Sequence, residues 1–287
     1  MEVERIVDYQ CHLGEGPLWH PVEKRLYWLD ISRGQVLVYN PSSNTHHVVY
    51  EGEPVGGMTL QADGSLLFLM TRGVIANWRK GKLTTLTQIE GAYEQERRFN
   101  DAIADPMGRV FTGTVSPEDF IGGLYRINTD GTVISLLKNL ETPNGMAFSP
   151  DHKKLFFTET RARKIHVFDY DQATGSLTDQ RTFTDIPQEE GEGLADGLTM
   201  DSQGYLWSAR CFGSKVVRYS PDGAEERHIH IPTRNVTSLT FGGDNLDDLY
   251  VTTAAGSGKP PDSSAGALFK LKPGISGMAH FVSRICL

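Results

Sequence analysis

The 287-residue chain is poor in cysteine: Cys11, Cys211 and Cys286 stand far apart, and none belongs to a C-x-x-C pair. That excludes a zinc knuckle, a dithiol redox motif and a disulfide framework, and leaves reduced thiols as the expected state. No apolar run approaches the roughly 20 residues that a membrane helix needs, and the start, Met1-Glu2-Val3-Glu4-Arg5, lacks the basic-then-apolar profile of a signal peptide. A soluble, cytoplasmic protein with no membrane association is expected. Positive charge is in deficit, with 28 Lys and Arg against 36 Asp and Glu and a formal net charge of −8. Nucleic acid, which needs a concentrated basic surface, is therefore not the expected partner. Nucleotide motifs are also missing. Gly191-Glu192-Gly193 lacks the third glycine of a dinucleotide fingerprint, Gly258-Lys259 runs into Pro260 where a P-loop needs Ser or Thr, and no G-x-S-x-G elbow occurs.

What the chain does have is a repeat. Leu194 to Arg210 reads as a short apolar strand, a polar turn containing Gly204 and a second strand, the pattern of a β-hairpin. Variants start at Glu15, Gly56, Asn100, Asn144, Asp196 and Thr237, six copies spaced roughly 41 to 52 residues apart. A third strand follows each hairpin, and outer strands precede the later repeats at 47–50, 83–88, 133–137, 181–183 and 227–231. Repeats of this length with four strands each are propeller blades. The fold class expected is all-β, a six-bladed β-propeller with four-stranded antiparallel blades, forming a single domain over residues 1–287. Val3, Ile6 and Val7 stand where an outer strand belongs, so the N-terminal strand should close the ring and cover its sheet edges. His280 to Ile285 is also strand-like and should compete for that edge or share it. Longer connections at 91–97, 186–194 and 254–265 interrupt the repeat, the first two leading straight into inner-strand starts and so expected at the rim of a site.

The repeat gathers scattered polar residues. Equivalent positions of rotationally related blades lie at one height around the axis, so the six leading residues should face one another across one end of the channel. Among them Glu15, Asn100, Asn144 and Asp196 bring side-chain oxygens. Two carboxylates facing a narrow axis repel unless a cation or protons intervene. Glu15, Asn144 and Asp196 would suit a hard divalent cation such as Ca²⁺, Mg²⁺ or Mn²⁺. Each Asn-Gly or Asp-Gly pair taken alone is an ordinary turn; the joint placement carries the expectation. Arg98, Asn100 and Asp101, with Glu118 beyond the hairpin partner, offer the directional hydrogen bonds that a polyhydroxylated substrate would use. Trp19, Trp28, Trp78 and Trp207 fit core packing, and His228 and His230 a solvated outer face.

Gly14-Glu15-Gly16-Pro17, Arg98-Phe99-Asn100-Asp101, Pro143-Asn144-Gly145 and Asp196-Gly197, in this order and spacing, resemble the gluconolactonase and regucalcin (senescence marker protein) family. The resemblance spans nearly the whole chain. It implies a metal-dependent lactonase that hydrolyses a sugar (aldono) lactone such as gluconolactone, with one divalent cation, Ca²⁺, Zn²⁺, Mg²⁺ or Mn²⁺. It implies Glu15, Asn144 and Asp196 as metal ligands, Asp196 also as the catalytic residue, and Arg98, Asn100 and Glu118 as substrate-binding residues. The partner expected is the small-molecule lactone, and the state a monomer or weak homo-oligomer. Two other readings compete: a phosphotriester or aryl-ester hydrolase on a similar propeller, with a more apolar pocket and a second calcium, and a calcium-binding regulator.

Overall fold

A computed structural model describes residues 2–89, 98–256 and 262–286. After β1 (Val3–Val7), the first blade comprises β2 (Gly14–His20), β3 (Arg25–Asp30), β4 (Gln35–Asn40) and β5 (Thr45–Glu51), and the second β6 (Val55–Leu60), β7 (Leu66–Met70), β8 (Val74–Arg79) and β9 (Lys82–Gln88). The third is β10 (Arg98–Ala104), β11 (Val110–Val115), β12 (Ile121–Ile127) and β13 (Val133–Glu141); the fourth is β14 (Pro143–Phe148), β15 (Lys154–Glu159), β16 (Lys164–Asp171) and β17 (Ser176–Asp185). The fifth is β18 (Leu194–Met200), β19 (Leu206–Cys211), β20 (Lys215–Tyr219) and β21 (Glu225–His230), and the sixth takes β22 (Val236–Gly242), β23 (Asp248–Thr253), β24 (Leu268–Leu271) and, from the start of the chain, β1.

All pairings within the six sheets are antiparallel, and the short Gly- and Asp-containing turns between strands are what the repeat led one to expect. The inner strands β2, β6, β10, β14, β18 and β22 each contact the next, and β22 contacts β2, so the blades form a closed ring. This is a six-bladed β-propeller. Its outer strands are mostly exposed on both faces, whereas first and second strands are buried almost throughout. A strand buried on both faces reads as a nearly continuous apolar run, as in Leu66-Leu67-Phe68-Leu69-Met70 of β7.

β1 lies along β24, with Val3 opposite Leu271, Glu4 opposite Lys270 and Arg5 opposite Phe269. The chain's start therefore closes the ring, as expected. The expectation for 280–285 needs correction: this stretch forms no strand of a sheet and does not share the edge that β1 occupies. It crosses the end of the channel where the inner strands finish. Met278 N donates to Met200 O (3.3 Å), Gly277 N to Leu246 O (2.8 Å), Ser283 N to Leu60 O (2.7 Å) and Arg284 N to Gly108 O (2.8 Å). Phe281 packs edge-on against Phe148 (6.0 Å). These acceptors belong to different blades, so they offer single bonds rather than the continuous ladder that a strand needs. The four tryptophans are all buried, as expected; Trp19 of the first blade stacks on Tyr250 of the sixth (5.9 Å).

Candidate active site at the inner-strand starts

Each inner strand carries an irregularity at its start. Pairing slips between Glu15 and Leu18, Val55 and Gly57, Asn100 and Ala102, Pro143 and Met146, Ala195 and Leu198, and Val236 and Ser238. In every case the inner strand holds one residue more than its neighbour, the defining feature of a β-bulge, which re-aims a side chain. Asp101, Asn144 and Asp196 fall inside these bulges, and Glu15 at the edge of one. The glycines after the polar residues permit close approach of adjacent strands: a Cβ at Gly145 would lie 2.3 Å from the backbone nitrogen of Leu198.

Glu15, Asn100, Asn144 and Asp196 are buried, while Arg98 and Asp101 keep part of their surface open. Burial and the charges of Asp196 and Asp101 push the Glu15 carboxyl well above the usual carboxylate range. Asp196 is pushed up in the same way, by burial and by Asp101, against a lowering by Arg98 and by a hydrogen bond from Asn144. Asp101 rises to about 6, again through burial, with Arg98 opposing. Arg98 is drawn down by burial and held up by Glu15, Asp101 and Asp196. One guanidinium thus stands among three acids. Its Nη1 donates to Asn100 Oδ1 (2.5 Å) and to Phe99 O (3.1 Å), and Asn100 Nδ2 donates to Pro143 O (2.6 Å), which ties the third blade to the strand bearing Asn144.

Of the expected site residues, the fold brings Glu15, Asn144, Asp196, Arg98 and Asn100 together. Glu118 is exposed in the β11–β12 connection, with its amide donating to Ser116 Oγ (3.3 Å). Asp101, read with Arg98 and Asn100 as a candidate contact to a polyhydroxylated substrate, joins the cluster, and its backbone is left-handed at φ 54°. Thr237, the sixth leading residue, is turned to structural use: its hydroxyl donates to Gly14 O (2.5 Å). The connection at 91–97 lies outside the described residues, as do residues 257–261 of the one at 254–265.

Asn144 Nδ2 donates to Thr160 Oγ1 (3.1 Å), which leaves its carbonyl oxygen to accept or coordinate. Asp196 Oδ1 is buried with no hydrogen-bond partner, an arrangement costly for a carboxylate unless something electropositive meets it. Among the described residues no cluster of three or more His, Cys, Asp or Glu side chains is placed to hold a metal. The set here is two carboxylates and an amide, all oxygen donors, which suits a hard cation that keeps water in its remaining positions. Beneath the ring a channel continues along the axis, lined by Gly16, Asp101, Gly145 and Leu198 near the site and floored by Met278 and Phe281 of the C-terminal segment.

Residues 13–255 match the SMP-30/Gluconolactonase/LRE-like region. The chain is 45% identical to pentonolactonase XacC of Haloferax volcanii, with all of both chains covered, and 30% identical to regucalcin of Xenopus laevis over 97% of each. Among solved structures it resembles a luciferin-regenerating enzyme at a TM-score of 0.90 and 28% identity, covering 99% of each chain.

Proposed function

From the premise that this chain belongs to the SMP-30/gluconolactonase/LRE-like family, we propose that it hydrolyses a sugar lactone to the aldonic acid, using one divalent cation held by Glu15, Asn144 and Asp196. The observation that carries the reading is the buried meeting of Glu15 and Asp196, with Asp196 Oδ1 unpartnered, beside the Arg98 guanidinium. The pentonolactonase name of the relative at 45% identity puts five-carbon aldonolactones first among substrates, ahead of gluconolactone.

When bound, the cation supplies Lewis-acid stabilisation of negative charge on the carbonyl oxygen. The chain's own residues do the rest. Arg98, partly open to the mouth, donates to substrate oxygens, and Asn100 fixes its orientation. Water attacks the lactone carbonyl carbon while Asp196 takes its proton. The bond from that carbon to the ring oxygen then breaks, and the proton passes to that oxygen, which becomes a hydroxyl of the acid. Glu118 completes the substrate contacts from the rim. Three free cysteines fit a reducing compartment, which supports a cytoplasmic setting; among the described residues no helix is long and apolar enough to cross a membrane.

The test is acid release from a panel of pentono- and hexonolactones on chelator-stripped protein, before and after adding Ca²⁺, Mg²⁺, Mn²⁺ or Zn²⁺. Hydrolysis restored by a cation, fastest with a pentonolactone, is the expected result. Folded protein that hydrolyses none of them with any cation overturns the reading.

A further inference from the structure

The bulged strand starts that carry Glu15, Asn144 and Asp196 share a second feature: in each, the backbone of the residue three positions earlier is gripped by a charged side chain. In the first blade, Asp30 accepts the amide hydrogens of His12 (2.9 Å) and Leu13 (3.1 Å), and Arg33 donates to the same carboxylate (3.2 Å). Asp30 is fully buried and stands opposite Gly14, the residue before Glu15. In the fourth blade the equivalent position, opposite Pro143, is Glu159. It accepts the amide hydrogen of Glu141 (2.8 Å), three residues before Asn144, and its other oxygen bonds His166 Nε2 (2.9 Å), which holds the carboxyl below its ordinary range. In the fifth blade that position is Arg210, which turns away to Ser208 and Tyr219. The grip comes instead from Arg163 of the fourth blade: it donates to Gly193 O (2.9 Å), three residues before Asp196, to Ile186 O (3.0 Å) and to Pro187 O.

The second blade offers the contrast. Its leading residue, Gly56, brings no side-chain oxygen; the position opposite the residue before it is Met70, and three residues earlier the Glu53 carbonyl accepts, among the described residues, from the neutral Tyr50 hydroxyl (3.1 Å). The sixth blade has Thr253 opposite Val236, and the Arg234 carbonyl accepts a backbone amide, Ser214 N (3.3 Å). Charged anchors thus accompany the proposed ligands rather than the blade repeat as such. Charge-assisted hydrogen bonds are about twice as strong as neutral ones and directional, which is what fixing three independent strand starts around one ion requires.

We propose that Asp30, Glu159 and Arg163 are positioning residues that hold Glu15, Asn144 and Asp196 in register for a single cation. The inference rests on the metal-site reading given above. None of the three touches the ion; each fixes the backbone from which a ligand projects.

The test is Mn²⁺ titration of chelator-stripped protein, followed by calorimetry or by the electron-spin resonance of free Mn²⁺, together with the melting temperature of the metal-free form. Asp30→Ala, Glu159→Ala and Arg163→Ala are each expected to weaken Mn²⁺ binding by about 10- to 100-fold, the range for outer partners of metal ligands. Glu159→Gln keeps an acceptor for the Glu141 amide but loses the charge, and should weaken binding less than Glu159→Ala. Asp30→Asn, isosteric and so retained as a folded protein, sets an N–H against a backbone amide and should weaken binding. Met70→Ala, at the matching position of an unliganded blade, should lower the melting temperature and leave affinity unchanged. Wild-type affinity in folded Asp30→Asn and in the alanine variants, or an equal loss in Met70→Ala, would overturn the proposal while leaving the metal site standing. Absence of Mn²⁺ binding by wild type would overturn the metal site itself, and the positioning roles with it.

Discussion

At the residue scale Asp196 concentrates a conflict: a buried carboxyl, one oxygen without a partner, with Glu15 and Asp101 nearby and Arg98 and a hydrogen bond from Asn144 in compensation. A carboxyl whose folded-state pKa is raised stabilises the fold below the pH at which it ionises in the unfolded chain, about 4, and loses that contribution as pH rises through its folded value. The metal-free protein should therefore lose stability from this cluster as pH rises from about 4 through 6, where Asp101 ionises. Asp196→Asn removes one ionisable carboxyl from the cluster and should raise the melting temperature of metal-free protein at pH 7.5, by roughly 2–4 °C for each kcal/mol of repulsion relieved. Calorimetric scans of both proteins with chelator present check this; a lower melting temperature in the variant would show that the acids are not in conflict. The same protons compete with a cation at Glu15 and Asp196, whose carboxyls are both pushed up, so cation affinity should fall as pH drops. Titrations at pH 5.5 and 7.5 read the change directly. Glu15, Asn100, Asn144 and Asp196 were legible because each occupies an equivalent position in a repeat, and Arg98 and Asp101 because they flank Asn100 at one strand start. Glu118 was read from its place just beyond the hairpin partner and from the family resemblance, and its exposed place in a loop is not a matter of strand register.

The bulge is the unit that matters at the scale of the element. The strands and their order follow from apolar runs and turn residues, so they could be read in advance. The inserted residue could not, because a bulge changes no period long enough to notice: Asn144-Gly145 looks like any turn dipeptide, yet it sits within a strand pair that resumes at Met146 opposite Phe157. The glycine is the trace that it leaves. Gly145 must remain without a Cβ for β14 to lie against the Asp196-to-Leu198 backbone. Gly145→Ala should therefore cost about 1–3 kcal/mol or more as overpacking and also reduce turnover, since the strand that moves carries Asn144. Denaturant unfolding and kcat on the purified variant check both; an unchanged kcat would show that β14 relaxes without moving its side chain.

The whole molecule is a ring closed twice. β1 joins the chain's start to the sixth blade, which the repeat made legible because every other blade already had its outer strand in the same place. The C-terminal segment closes the far end of the channel, which was not legible: its alternating apolar residues resemble a strand, and only the fold shows that its acceptors come one at a time from several blades. Ile285 fills a cluster between the second and third blades with Leu67, Leu69, Phe99 and Val110. Ile285→Ala should cost about 2–5 kcal/mol and leave kcat/KM at low temperature unchanged, because this segment lies opposite the site; a large loss of kcat/KM in folded protein would mean that the floor of the channel takes part in turnover. In the proposed function one cation on Glu15, Asn144 and Asp196 drives lactone hydrolysis. Its most direct test is the rate of acid release from a pentonolactone while Mn²⁺ is titrated into chelator-stripped wild type and Asp196→Asn. Wild type should gain activity that saturates at one equivalent, and the folded variant should stay near the uncatalysed rate at every concentration. Full activity in stripped wild type, or wild-type turnover by Asp196→Asn, would contradict the account.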